Sequence, residues 1–435
     1  MKNLSFLNNR ISFIKDLYPL LVFACLFCIY LYNGSTSMTF GDSLGFYKAA
    51  EQGYELSTAA VSHFLYANAF ALFYKSTPFS IYFSGILFSI LSSIIALYFL
   101  YKTIFTLTQN KITALCSVVV MGLSFTFWRQ TEIIEVYSFN NLFFSILLYL
   151  TICDLINNKN DNNYATSIIY GLILIIHIQN ILLIPFFFIY LIHSNNYQIN
   201  LNTIYSVSIV TLIFSILLII PLIYQTNTIS SIFFQNKEIG EKVLGLEFTT
   251  FLKGGIKSLG YLAYNFHIFI IFFILGLIRI YNTNKKFFIL IISGILPFWG
   301  FAMRFDVPDN YVFFLQPYFL LVIAGAIAGN DLIKKTKLHF LIPVSLTLII
   351  PVFYYSLYLT AIKVSFLKEL HEKKLYKGGL KYLTWPGMRN NPNMLDYCKI
   401  IYLSDSKPEN FTEFEWNYYS AIEYLDKKGE LQNKK

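Results

Sequence analysis

Apolar runs of roughly 20 residues dominate this chain and constrain its fold more than any other feature, because a helix needs about that length to cross a bilayer. Nine runs are long enough, and the stretch 165–193 accommodates two further short helices with a break near "HIQN". The nine runs are 17–33, 80–102, 112–128, 138–155, 203–224, 261–281, 286–303, 311–329 and 338–361. The sequence therefore predicts an all-α polytopic membrane protein with about 11 transmembrane helices.

Composition and charge agree with a membrane protein. Only 13% of the residues are charged and 56% are hydrophobic, whereas soluble domains carry about 25% charged residues. The net charge of +9 comes from basic residues in short clusters between the apolar runs, which is typical of loops that orient membrane helices. No nucleic-acid-binding signature accompanies this charge. The expected partner surface is the lipid bilayer, and nucleic acid is not expected as a partner.

The distribution of basic residues also predicts the topology. Three basic residues between positions 2 and 15 place the N-terminus in the cytoplasm, so the chain from residue 34 onwards emerges outside. If the stretch 57–75 lies flat in the membrane interface, every later cluster of basic loop residues falls inside. We therefore expect interfacial helices in the first outer loop. The polar residues 362–435 are expected to form an extracytoplasmic tail or small cap domain after a membrane module over 1–361.

The acidic residues of the outer loops are the candidates for chemistry, because acids beside membrane spans are costly to retain without a role. They are Asp42, Glu51 and Glu55 in the first loop, Glu132 and Glu135 in the second, three glutamates in 225–260, and Asp306 and Asp309. Two arginines, Arg129 and Arg304, are predicted at the same face. Carboxylates act as bases or metal ligands and guanidinium groups bind phosphate, so this face suits a phosphate-bearing substrate.

Structural alternatives exist for most of these candidates. In "DVPDN", which holds Asp306 and Asp309, the proline and Asn310 are typical of a turn before the span. Asp42, in "FGDS", can cap the helix that follows it. Glu132 and Glu135 can solvate the top of a span, with Arg129 as their partner. His177 can be a core histidine at a helix break. The segment 225–260 is interpreted as an amphipathic surface helix with glycine breaks, and no chemistry is assigned to it.

Four motifs, in this order, resemble a bacterial membrane-protein family related to the protein O-mannosyltransferases. They are "GDSLGFYKAA", "SFTFWRQTEIIEVYSFNNLFFSILLYL", "GLILIIHIQNILLIPFFF" and "DVPDNYVFFLQPYFLLVIAGAIAG". The second is carried by Trp128, Glu135, Val136, Tyr137 and Asn140 or Asn141. The third is carried by Gly171, Leu172, His177 and Pro185, and the fourth by Pro308, Asp309, Tyr311, Phe313 and Pro317. The similarity extends roughly over residues 12–330.

This resemblance implies a GT-C fold and a glycosyltransferase that takes sugar from a polyprenyl-phosphate carrier at the outer face. Asp42 then matches the catalytic acid of the first outer loop and acts as general base in an inverting transfer. The motifs and the chemistry together give the expected substrate-binding residues, which are Arg129, Glu135, Tyr137, His177, Arg304, Asp309 and Tyr311. Gly45 stands where the family often has a glutamate, and Glu51 is the nearest substitute.

Several choices stay open from sequence. The acceptor is a protein, a glycan or a lipid, and a divalent metal cofactor is neither required nor excluded. The implied location is the inner or plasma membrane of a bacterium. Two other functions compete with transfer: a transporter or flippase for a lipid-linked or anionic substrate, and a non-catalytic membrane scaffold. The acids lie at the outer ends of apolar spans rather than at mid-membrane, and this pattern favours the enzyme.

Overall fold

In the computed structural model, all of the regular secondary structure in the described part of the chain is helical. That part comprises residues 2–54, 63–157, 161–195, 198–224, 245, 247–305, 307, 309–336, 341–372, 384–390, 393–409 and 411–431. The first ten helices are α1 (Lys2–Asn33), α2 (Ser43–Gln52), α3 (Phe64–Lys75), α4 (Ile81–Thr108), α5 (Lys111–Gly122), α6 (Phe125–Thr131), α7 (Val136–Asn157), α8 (Asn163–Ile176), α9 (Ile184–Ser194) and α10 (Leu201–Tyr224). The others are α11 (Phe248–Phe266), α12 (Ile270–Thr283), α13 (Lys285–Arg304), α14 (Leu315–Thr336), α15 (Leu341–Thr347), α16 (Ile349–Ala361), α17 (Ser365–Glu372), α18 (Met394–Ser404) and α19 (Glu415–Lys427). Short 3-10 helices, Ile178–Leu183 and Asn310–Phe314 among them, join some of these.

The predicted all-α membrane architecture is confirmed. Within the described residues, six helical stretches are long and apolar enough to cross a bilayer, or seven if α5 and α6 form one bent span. Four shorter apolar helices also coincide with predicted runs, at Leu17–Asn33, Asn163–Ile176, Ile178–Ser194 and Leu201–Ile216. The predicted number of about 11 spans is not confirmed. The chain is nevertheless an integral membrane protein.

The predicted span 112–128 is not one straight helix. The helix α5 ends at Gly122, and α6 follows at an angle of 71°. The break leaves backbone N–H groups that membrane lipid cannot satisfy. The Tyr354 hydroxyl accepts from the Phe125 N–H at 2.9 Å, and Asn265 Oδ1 accepts from the Thr126 N–H at 2.8 Å. These partners stabilise the bend, which turns α6 into the protein interior.

Two short helices fill the loop after α1. The helix α3 has 12 residues and spans about 18 Å, well short of the roughly 30 Å hydrocarbon core. It packs against α2, α4 and α8. This agrees with the predicted interfacial position of the stretch 57–75, of which residues 57–62 lie outside the described residues.

The predicted glycine breaks in 225–260 are wrong for the part that the structure describes. The helix α11 runs without interruption through its three glycines, at positions 254, 255 and 260. A Cβ at Gly254 would lie 1.7 Å from the Met303 carbonyl oxygen, so this glycine permits close packing of α11 on α13. Residues 225–244 lie outside the described part.

The C-terminal helices pack on the loop after α1 and share a small hydrophobic core with it. The buried side chains of this core are Met38, Phe40, Leu44, Met394, Cys398, Ile401, Phe411, Phe414 and Ala421. The Met394 N–H donates to the Met38 carbonyl at 2.8 Å, which joins the start of α18 to the loop. The tail and the first loop therefore lie at the same end of the helix bundle.

Candidate functional site

Asp42 lies at the first turn of α2, where the loop from α1 enters the helix. The preceding Gly41 has φ +113, a backbone angle that favours glycine. Asp42 occupies the N-cap position, but its side chain makes no capping hydrogen bond, and it is half-buried. Capping is therefore not the role of this carboxylate.

Glu135 brings a second carboxylate to the same place. Its Oε1 accepts a hydrogen bond from the Asp42 backbone N–H at 3.2 Å. The Glu135 carboxylate thus lies at the N-terminus of α2, where the helix dipole stabilises negative charge. Glu51, the substitute proposed from sequence, instead forms an exposed ion pair with Lys428 at 2.6 Å. The second acid beside Asp42 comes from the α6–α7 loop.

The α6–α7 loop, residues 132–135, is buried and held by hydrogen bonds from three elements. Ser35 N–H donates to the Glu132 carbonyl at 3.0 Å, Ser89 Oγ to the Ile133 carbonyl at 2.8 Å, and Ser43 Oγ to the Ile134 carbonyl at 3.0 Å. Both glutamates of this loop are 0% exposed. Their interpretation as solvated charges at the top of a span is therefore wrong.

Glu132 of this loop and Arg129 of α6 belong to one buried cluster. Arg129 is 0% exposed, and its Nε donates to the Tyr311 hydroxyl at 2.9 Å. Its Nη1 contacts the Met388 sulfur, and the Met388 N–H donates to Glu132 Oε2 at 2.8 Å. Burial raises the pKa of the Glu132 carboxyl well above its usual value, and the Met388 N–H and Arg129 oppose this shift. A phosphate can reach Arg129 only if this cluster opens.

Four aromatic rings, from His63, His177, Tyr137 and Phe46, pack on one another. The ring centres of His177 and His63 are 4.7 Å apart, and those of His177 and Tyr137 are 5.6 Å apart. Phe46, from α2, packs edge-on to His63 at 5.4 Å. His177 Nδ1 accepts from the Gln179 N–H at 3.2 Å, so this histidine also caps a 3-10 helix. The structural alternative therefore describes what His177 does at the helix break, and its role in ligand binding stays a prediction.

The remaining predicted residues lie around the start of α14. Tyr311 is fully buried and joins Arg129, whereas Asp309 lies two residues earlier at the start of the same 3-10 helix and is half-buried. Arg304 ends α13, is half-buried, and forms no hydrogen bond or ion pair within the described part of the chain. Asp306 and Pro308 lie outside the described residues. Arg304 is the more accessible of the two predicted arginines.

The remaining acids of the candidate loops either bond to residues near them in sequence or lie outside the described residues. Glu247 accepts hydrogen bonds from the Thr249 and Thr250 hydroxyls at 2.8 Å at the start of α11. Glu55, Glu238 and Glu241 lie outside the described residues. Among the residues that are described, no three His, Cys, Asp or Glu side chains come together as a possible metal site.

Sequence reasoning missed the tail's contribution to this region. Trp385 is 0% exposed and packs edge-on to Trp128, with ring centres 4.8 Å apart. Met388 joins Arg129 and Glu132, and Asn417 contacts the backbone beside Asp42. The signal in the sequence is "TWPGM", an aromatic, proline and glycine group within an otherwise polar stretch.

The described helices and the structural match that follows define the class of protein, a polytopic membrane protein with a GT-C-like fold. The structure resembles that of ArnT from Cupriavidus metallidurans bound to undecaprenyl phosphate, with a TM-score of 0.59 at 9% identity, over 94% of this chain and 74% of that chain. The Archaeoglobus fulgidus oligosaccharyltransferase complex with Zn and sulfate gives a TM-score of 0.49 at 12% identity, over 91% of this chain and 57% of that one. Such low identities concern the fold alone.

The sequence match identifies the relationship more closely. Residues 62–201 match the family described as Protein O-mannosyl-transferase TMEM260 N-terminal domain. This range contains the second and third motifs, with Arg129, Glu135, Tyr137 and His177, but not Asp42. No curated protein matches the chain. The predicted resemblance to membrane proteins related to the protein O-mannosyltransferases is confirmed.

Proposed function

We propose that this protein is an inverting membrane glycosyltransferase that moves a sugar from a polyprenyl-phosphate carrier to an acceptor hydroxyl at the extracytoplasmic face. The observation that carries the proposal is the position of Asp42, half-buried at the start of α2 with the Glu135 carboxylate on its backbone amide. The match of residues 62–201 to an O-mannosyltransferase family supports the reaction class. The acceptor is a protein, glycan or lipid hydroxyl.

Asp42 is the general base in this proposal. Its carboxylate takes the proton of the acceptor hydroxyl as that oxygen forms a bond to the anomeric carbon. The bond from the anomeric carbon to the phosphate oxygen breaks, and the lipid phosphate leaves with the electron pair. Attack opposite the leaving group inverts the anomeric centre. Glu135 orients Asp42 through the backbone hydrogen bond.

The other predicted residues form the walls around the substrate. Arg304 is the proposed partner of the leaving phosphate, because its guanidinium is partly accessible at the end of α13 and charged donors stabilise developing anions. Tyr137 and His177 present ring faces suited to a sugar. Tyr311 holds Arg129 through a hydrogen bond, and Asp309 lies two residues before Tyr311. Arg129 contacts phosphate only after the Met388 cluster opens.

The proposed location is the bacterial inner or plasma membrane, with the N-terminus in the cytoplasm and the site and tail outside. The shared core of the first loop and the C-terminal helices supports a common side for both. ArnT, of similar fold, was solved with undecaprenyl phosphate, which supports a polyprenyl-phosphate donor. The membrane module 1–361 and the tail 362–435 are the proposed functional divisions.

A transfer assay with the purified protein, a polyprenyl-phosphate sugar and a set of candidate acceptors tests the proposal. We expect Asp42→Asn to lower turnover by about 100-fold or more, the usual loss for a general base. Glu51→Gln is the matched control, because Glu51 lies on the same helix in an exposed ion pair with Lys428. It should retain turnover. Equal turnover of wild type and Asp42→Asn would remove Asp42 from the mechanism.

A further inference from the structure

The peptide group between Gly41 and Asp42 is held from two sides. Its carbonyl oxygen accepts a hydrogen bond from Asn417 Nδ2 at 2.9 Å. Its N–H, which belongs to Asp42, donates to Glu135 Oε1 at 3.2 Å. Because both ends of one planar peptide are bonded, the plane that leads into Asp42 has a fixed orientation.

Asn417 makes a second bond to the same glycine. Its Oδ1 accepts from the Gly41 N–H at 3.3 Å, so one side-chain amide serves the donor and the acceptor of one residue. The planar amide of asparagine presents a donor and an acceptor side by side, which matches the N–H and C=O of one residue. Asn417 is 3% exposed, and a buried hydrogen bond of this kind is costly to lose.

The residues around Asn417 keep the tail in place independently of this contact. Phe414 packs edge-on to Phe40 with ring centres 5.4 Å apart, and the Met394 N–H bonds the Met38 carbonyl. Lys48 Nζ donates to the Ser420 carbonyl at 3.2 Å. A change at Asn417 can therefore release the Asp42 peptide without releasing α18 and α19.

We infer that Asn417 is a positioning residue, which sets the direction of the Asp42 carboxylate from the C-terminal region of the chain. The inference rests on the proposed function only for the role of Asp42. The hold on the Gly41 peptide is a property of the folded chain and is measurable without a substrate. By this inference, the C-terminal region contributes a residue to the site.

Two variants of the full-length protein test the inference by amide hydrogen exchange and by steady-state kinetics. Asn417→Ala removes both bonds, and Asn417→Asp keeps the size and the acceptor but lacks the donor to the Gly41 carbonyl. We expect the amides of residues 41–43 to exchange about tenfold faster in both variants, with unchanged protection over α18. We also expect kcat to fall about tenfold with little change in the KM for the donor.

Lys428→Ala is the matched control, because it removes an exposed contact between the tail and α2. It should leave both the exchange at residues 41–43 and kcat as in wild type. Unchanged protection at residues 41–43 in Asn417→Ala would overturn the inference. Faster exchange with unchanged kcat would overturn the positioning role. If Asp42→Asn kept full turnover, the proposed function would fail, while the exchange result would still decide whether Asn417 holds the loop.

Discussion

Burial of the Glu132 carboxyl makes the stability of the folded protein depend on pH. Burial raises the pKa of this carboxyl well above the usual value, so the folded protein holds this proton more tightly than the unfolded chain. An acid with a raised folded pKa lowers stability as the pH rises above the unfolded value of about 4.3. That loss continues until the pH passes the raised folded pKa.

We therefore predict that Glu132→Gln flattens the dependence of the melting temperature on pH above about 4.3, the unfolded value. The glutamine oxygen can still accept from the Met388 N–H, so the fold is expected to persist. Melting temperatures in detergent, measured at several pH values, give the comparison. Glu51→Gln, at an exposed ion pair, should keep the wild-type slope, and an unchanged slope in Glu132→Gln would contradict the prediction.

The sequence predicts some of the site residues but not the contacts between them. Asp42 was found because a lone acid between glycine and serine follows an apolar run and matches a motif. The partnership of Asp42 with Glu135 was not predictable, because it needs the α6–α7 loop to fold against α2. Glu51 was favoured by nearness in sequence, but its helical position directs it to Lys428. Nearness along the chain is a poor guide when the partner comes from another element.

At the scale of helices, the packing of α11 on α13 depends on one glycine. A Cβ at Gly254 would lie 1.7 Å from the Met303 carbonyl oxygen, whereas a Cβ at Gly260 meets nothing within 4 Å. We predict that Gly254→Ala destabilises the protein by about 1–3 kcal/mol or more through overpacking. Gly260→Ala, in the same helix, should be neutral or stabilising by up to about 1 kcal/mol. Thermal unfolding in detergent compares the two, and equal effects would contradict the close approach.

The segment that contains Trp385 offers a second comparison. Trp385 is 0% exposed against Trp128 and Tyr354, whereas Trp416, on α19, is 55% exposed. We predict that Trp385→Ala lowers the free energy of unfolding by about 3–5 kcal/mol. Trp416→Ala should change it by about 0.5 kcal/mol or less. Similar unfolding curves for the two variants would show that the tail does not insert as described.

The break between α5 and α6 shows what hydropathy leaves out. The run 112–128 is apolar throughout, so a window of hydropathy reads it as one span. The 71° bend depends on Tyr354 and Asn265, which lie far along the chain and supply the missing backbone partners. Long helices such as α4 were predictable because their length and apolar character alone determine them. A bend stabilised by distant side chains was not.

For the whole molecule, the orientation in the membrane is a prediction that labelling can test. In a background without its five cysteines, single cysteines at the exposed positions Ser76, Asn282 and Ser406 report three faces. We expect a membrane-impermeant maleimide to label positions 76 and 406 in intact cells and position 282 only after permeabilisation. Labelling of position 76 only after permeabilisation would overturn the flat placement of α3.

The contact between Gly41 and Asn417 forms late, because Asn417 is synthesised long after Gly41. The two residues are 376 positions apart, so at about 5–20 residues per second the ribosome needs roughly 20–75 s to produce the second after the first. All of the membrane helices after α1 are made in that interval. The peptide that precedes Asp42 therefore lacks its hydrogen bond to Asn417 while nearly the whole bundle is synthesised. The geometry around the Gly41–Asp42 peptide is complete only when α19 has been made and has docked on the first loop.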